Sequence, residues 1–149
     1  MSVEVEVLRD VTDEVVKAFG RLLPQLSRSA PALDAEALRR LVSREGNRVL
    51  VARVDGEIVG TLTLVAMLIP TGVRMWIEDV VVDSAARGQG VGAELTNEAV
   101  RLARADGART IDLTSRPSRV AANRLYERLG FQVRDSKVFR LATQEEWNS

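Results

Sequence analysis

The stretch IEDVVVDSAARGQGVGAEL, Ile77 to Leu95, constrains the fold more than any other part of the chain. Its first half is an apolar, β-branched run of the kind that forms a strand. Its second half moves into apolar residues at helical spacing. Between them stand Arg87 and three glycines at alternate positions, Gly88, Gly90 and Gly92. A strand that feeds a helix commits the chain to a crossover, because a parallel neighbour needs a long connection of right-handed sense. The glycines also strip side chains from the start of that helix. Successive backbone N–H groups at the positive end of a helix dipole favour an anion.

The flanking segments set the rest of the topology. Val3, Val5 and Val7 alternate with Glu4 and Glu6, which reads as a half-buried strand. DVTDEVVKAFGRLLPQLS carries an amphipathic helical pattern, with Asp10 or Thr12 as its cap and Pro24 disturbing its end. LDAEALRRLVSREG resumes the pattern from Asp34 as N-cap to Gly46 as stop. NRVLVARV and EIVGTLTLVAML then read as strands joined by the hairpin signal Asp55-Gly56, and VRMWIEDVVVD as a third, longer strand. After the glycine loop come a helix closed by Gly107, a short strand in ARTIDLTS, and a last helix ending at Gly130. FQVRDSKVFRLAT is expected to supply one or two terminal strands.

The order β-α-α-β-β-β-α-β-α-β predicts an α/β (α+β) fold. Its sheet is mixed and mostly antiparallel, with a central parallel crossover around residues 76–115. A single domain over residues 1–149 is expected, ending in a short loose tail from about residue 143.

Composition narrows the chemistry. The 149 residues suffice for one domain with a substantial core. Lys and Arg number 21, as do Asp and Glu, so no net field recruits nucleic acid or membrane. The chain has no Cys and no His, which removes thiolate nucleophiles, disulfides, the usual metal ligands and the commonest general base. No metal is expected, and proton transfer near neutral pH falls to carboxylates, Tyr, Lys, water or the backbone. No signal-like leader and no run of about 20 apolar residues is present, so a cytoplasmic location is expected.

Three readings of the glycine loop compete. Gly88-x-Gly90-x-x-Ala93 formally fits a dinucleotide fingerprint, with Asp112 as the ribose-binding acid. Five residues, Asp83 to Arg87, separate strand from glycines, and a meander precedes them, which argues against that reading. No Walker-type phosphate loop exists in the chain. A purely structural turn accounts for one glycine better than for three.

The third reading takes Arg87-Gly88-Gln89-Gly90-Val91-Gly92 as R-x-x-G-x-G, preceded by VVVD and followed by NRLYERLGF. With these motifs and this element order, most of the chain resembles the GNAT superfamily of N-acetyltransferases. The resemblance implies that acetyl-CoA is the cosubstrate. Its pyrophosphate would be held by the backbone amides of Arg87, Gly88, Gln89, Gly90, Val91 and Gly92, with Ala93 opening the helix. The main-chain groups of Val80 and Val82 would pair with the pantetheine arm, and Asn123 would lie near its amide. Tyr126, the only Tyr in the chain, would serve as general acid or hydrogen-bond donor to the departing thiolate, with a packing role as its alternative.

An amine acceptor must lose a proton before it can attack. Strict alternation puts Trp76, Glu78, Val80 and Val82 on one face of the strand and Ile77, Asp79 and Val81 on the other. A bulge commonly interrupts this strand in the family. IEDVVV also resembles the strand of glucosamine-6-phosphate N-acetyltransferases, whose acidic pair faces the acceptor. Glu78 is the first choice of base, Asp79 the second and ordered water the alternative. Residues 22–31 would form the acceptor lid, and residues 67–74 and 114–119 the walls. Arg28, Arg74 and Arg116 would suit an acidic acceptor. Dimers are common in the family, although no sequence feature here demonstrates one. The rival reading is a non-catalytic acyl-CoA sensor on the same fold.

Overall fold

A computed structural model describes residues 2–144. The expected loose tail therefore lies, from residue 145 on, outside the described residues. The chain divides into two compact units at Thr114 and Ser115.

The first unit holds β1 (Val3–Val7), α1 (Asp13–Leu26), α2 (Ala35–Ser43), β2 (Asn47–Val54), β3 (Glu57–Ile69) and β4 (Gly72–Val82). A 3-10 turn at Ser84–Ala86, then α3 (Val91–Ala105) and β5 (Thr110–Asp112), complete it. Local chemistry explains the boundaries. The Thr12 hydroxyl accepts the Val15 N–H at 3.3 Å, and Asp34 Oδ1 accepts the Ala37 N–H at 2.8 Å, so each cap satisfies one orphan donor of its helix. Pro24 sits inside α1, which ends two residues later at Leu26. Asp55 and Gly56 both take positive φ, 51° and 82°, as a tight two-residue hairpin requires.

The five strands lie in the order β1-β2-β3-β4-β5, antiparallel except for the β4–β5 pair, which is parallel. Directly opposed residues share a face of a sheet. The row Val51–Thr61–Val81 therefore faces one side, together with the row Val49–Thr63–Glu78. Val49, Val51 and Val81 belong to the cluster that α1 fills with Val15, Ala18, Phe19 and Leu22 and α2 with Leu38. The first two helices thus cover this face. On the other side, a Cβ added to Gly60 would lie 2.9 Å from Val91 Cγ1 and 3.2 Å from Leu95 Cδ1, so α3 packs there.

The second unit contains α4 (Val120–Arg128), closed by Gly130 at φ 100°. The terminal strands expected in FQVRDSKVFRLAT do not form: residues 131–144 are irregular. Val133, Val138, Phe139 and Leu141 are exposed. Alternation only proposes a strand; a strand exists where a neighbour's N–H and C=O groups close the ladder. Among the described residues this segment has no such neighbour.

Candidate active site

The acidic pair sits on a bulge. Thr61 opposes Val81 and Thr63 opposes Glu78, so Leu62 alone faces both Asp79 and Val80. Asp79 absorbs the extra residue at φ 51°, a left-handed conformation that Asp tolerates better than most side chains. The bulge changes the parity of the strand and corrects the expected faces. Glu78 shares its face with Val81, three residues on, while Val82 opposes Gly60 on the α3 side. Glu78 and Asp79 are both exposed, whereas Val81 is buried.

Past the bulge, one edge of β4 is open. β5 pairs with it only over Arg74, Met75 and Trp76, after which the first unit provides no strand beside Ile77–Val82. The Asp83 N–H donates to the Val59 carbonyl at 2.7 Å. Ladder bonds repeat every second residue, so the polar groups of Val81 face β3 and those of Val82 face the open edge. Within the first unit, the edge expected to hold an extended ligand at Val80 and Val82 thus carries no partner strand at Val82, and Val80 lies within the bulge.

The loop continues directly from this edge. Asp83 Oδ1 accepts the Ala85 N–H at 3.1 Å and starts the short turn, and Ala86 is buried beneath it. The Ser84 N–H donates to Gln25 Oε1 of α1 at 2.9 Å. Gly88 and Gly90 take φ of 82° and 80°, which strains any residue with a Cβ, although nothing lies within 4 Å of a Cβ built on either. Their need for glycine is therefore one of backbone conformation. Gly90 caps α3 with no side chain, and its carbonyl accepts the Glu94 N–H at 3.0 Å. The first-turn amides of Val91, Gly92 and Ala93 have no partner within the helix. Val91 is buried and anchors the helix start, while Arg87 and Gln89 are exposed.

Asn123 and Tyr126 lie one turn apart on α4, in the second unit. Asn123 Nδ2 donates to the Arg116 carbonyl at 3.1 Å, tying the segment before α4 to its first turn. Tyr126 stacks edge-on against Phe131, with ring centroids 5.9 Å apart. Burial pushes the Tyr126 hydroxyl above the ordinary tyrosine value, against the pull of Arg119.

Two cavities, of about 730 and 360 Å³, lie at the other end of the sheet, where both are lined by Asn47, Arg48 and Asp106. The smaller is lined by Met67, Leu68 and Val73 of the expected acceptor wall, but neither is lined by the acidic pair or the glycine loop, and both are discounted as the reaction site. Gly60 is a contributor that the sequence reading missed, and Gln25, inside the expected lid, makes a bond to Ser84 that it did not foresee. An isolated glycine inside a strand pattern signals close approach, so Gly60 carried a readable mark. Gln25 carried none.

The fold is thus a mixed α/β one whose single parallel pair opens beside a glycine-bared helix start. The acetyltransferase (GNAT) family matches residues 10–131, and the chain belongs to that family. An acetyltransferase from Trypanosoma brucei superposes with a TM-score of 0.77 at 29% identity, over 95% of this chain and 99% of that one. A transcriptional regulator from Bacillus halodurans gives the same TM-score, 0.77, at 27% identity and the same coverages of 95% and 99%. An aminoglycoside acetyltransferase from an uncultured soil metagenomic sample reaches 0.82 at 20% identity, over 96% and 97%, and shares the fold. No curated protein sequence matches the chain. Among the described residues, no helix is long and apolar enough to cross a membrane.

Proposed function

We propose that this protein is an acetyl-CoA-dependent N-acetyltransferase that moves the acetyl group to a primary amine by direct attack in a ternary complex. One observation carries the reading: the open edge of β4 at Val82 leads, through the short turn at Ser84–Ala86, to the left-handed Gly88 and Gly90 and the first-turn amides of α3. The residues present fit the donor. An extended pantetheine arm would be held as an added strand by the main chain of Val80 and Val82. The pyrophosphate would be held by the amides from Gly88 to Ala93 and by the Arg87 guanidinium, while the Arg87 N–H, expected to join them, donates to the Ser84 carbonyl at 3.5 Å.

Bound acetyl-CoA supplies an activated thioester carbonyl. Everything else falls to the chain. Glu78 takes one proton from the acceptor ammonium, directly or through water, and returns it to solvent. The amine nitrogen then bonds to the carbonyl carbon as the carbon–sulfur bond breaks. In this reading the nitrogen loses its second proton to solvent, while Tyr126 protonates the thiolate and regains its proton from solvent, so one proton is released per transfer overall. Burial holds the hydroxyl above its ordinary pKa, so it carries its proton at neutral pH. Asp79 is the second choice as base, and the absence of Cys leaves no thiol for an acetyl-enzyme.

The test is a melting-temperature survey followed by thiol release. Acetyl-CoA is expected to raise Tm, with NAD and ATP inert. Thiol release is expected with at least one amine in a panel of alkylamines, diamines, aminosugars and alanine peptides. Glu78→Gln should lower kcat/KM by 10²-fold or so, the scale of general-base catalysis. Tight acetyl-CoA binding with no thiol release from any amine would instead establish the sensor reading.

A further inference from the structure

The acceptor face carries a second carboxylate that the reaction does not use. β5 pairs with β4 at Arg74–Thr110, Met75–Ile111 and Trp76–Asp112. Across β3 and β4, Asn47 opposes Val65 and Val65 opposes Trp76. The row Asn47–Val65–Trp76–Asp112 therefore alternates in phase with Val49–Thr63–Glu78. Asp112 and the indole of Trp76 stand on the same side of the sheet as Glu78, the side covered by α1 and α2. With strands about 4.8 Å apart and a rise of about 3.3 Å per residue, the Cα atoms of Glu78 and Asp112 are about 8 Å apart, and Trp76 neighbours both, opposite Asp112 and two residues before Glu78 on β4.

Asp112 and Trp76 are half-buried. The nearest cation on the same strand pair, Arg74, is turned elsewhere. Its Nε donates to Thr71 Oγ1 at 3.1 Å and its terminal nitrogen to Thr110 Oγ1 at 3.4 Å. Among the described residues, no Lys or Arg makes an ion pair with Asp112.

We propose that Asp112 is the specificity-determining residue of the acceptor site, and that the acceptor is a small di- or polyamine whose second ammonium it binds while the first is acetylated. The proposal rests on the acetyltransferase reading above. A monoamine seated against Trp76 would shield Asp112 from water without replacing that water by a cation, which is unfavourable for a carboxylate. A second ammonium about 5–8 Å from the reacting nitrogen removes the penalty, given the separation of the two rows. The indole, next to Asp112 across the strands and to Glu78 along β4, offers an apolar surface to the connecting carbons and a π-face to a cation.

The experiment compares kcat/KM for matched pairs that differ only in the second ammonium: 1,5-diaminopentane against pentylamine, and 1,3-diaminocyclohexane against cyclohexylamine. The wild-type protein is expected to favour the diamine of each acetylated pair. Asp112→Asn should reduce that preference by about tenfold, on the scale of one charge-assisted contact, and mainly through KM. Asp112→Glu should restore most of it, and a retained melting temperature shows that both variants fold. Equal use of monoamines and diamines, or a preference that survives Asp112→Asn, overturns the proposal and leaves the acetyltransferase reading standing. Thiol release with no amine of any class defeats that reading and the acceptor class with it.

Discussion

Gln25 Oε1, in the last turn of α1, accepts the backbone N–H of Ser84 at 2.9 Å, across 59 positions of sequence. The same amide group donates through Nε2 to the Arg21 carbonyl at 3.1 Å, and Arg21 in turn donates to the Ile58 carbonyl at 3.1 Å. One glutamine, inside the segment expected to form the acceptor lid, thus joins the end of α1 to the residue that opens the 3-10 turn before the glycine loop. The bond is exposed, so water can replace the lost acceptor and little folding free energy is at stake. What changes is the position of the loop. Gln25→Ala is expected to weaken acetyl-CoA binding about two- to tenfold, equivalent to roughly 0.5–1.5 kcal/mol. Gln25→Glu keeps an acceptor oxygen and should retain most of the affinity. Titration calorimetry decides it: an unchanged Kd in Gln25→Ala would detach α1 from the loop.

Gly60 is where β3 and α3 come closest. A methyl group there would meet Val91 Cγ1 at 2.9 Å, Leu95 Cδ1 at 3.2 Å and the Val81 carbonyl oxygen at 3.3 Å. Val91 is short, stiff and buried, and it is the first residue of α3, so relief requires the helix start to move. Gly60→Ala should destabilise the fold by about 1–3 kcal/mol, as overpacking generally does. It should also weaken acetyl-CoA binding, because the same shift displaces the amides of Val91, Gly92 and Ala93. Urea melts together with the binding titration check both halves. A stable variant of normal affinity would mean that α3 is free to slide on the sheet.

The elements of the first unit were legible in the sequence because each is set locally. Thr12 and Asp34 cap the helices they were expected to cap, and Asp55-Gly56 turns the hairpin it marks. The glycine loop was legible for the same reason, since positive φ at Gly88 and Gly90 is written in their residue type. Two features were not, and both depend on partners far along the chain. The faces of β4 turn on a bulge whose extra residue, Asp79, is ordinary in sequence and is fixed by the register against Thr61 and Thr63. Residues 131–144 carry a strand's alternation but gain no ladder among the described residues. Asp112 illustrates the same limit. Its residue type is visible, but its place beside Trp76 follows from the parallel register.

Tyr126 offers a test that needs no substrate. Burial raises its hydroxyl pKa above the ordinary value and outweighs the opposing Arg119. The folded state therefore holds the phenolic proton more tightly than the unfolded chain. The stability this confers is fully present below the unfolded value, about pH 10, and is lost as pH rises through the higher folded value. Urea melts between pH 8 and 11.5 should show wild-type stability declining over that window, with a shallower decline in Tyr126→Phe. The phenyl ring preserves the edge-on contact with Phe131, so stability at pH 8 should change by less than about 1 kcal/mol. Parallel curves for the two proteins would show that this hydroxyl titrates alike in the folded and unfolded states. The same variant separates packing from proton donation: a lowered kcat with an unchanged Kd for acetyl-CoA assigns the hydroxyl to the thiolate, and an unchanged kcat leaves Tyr126 a packing residue.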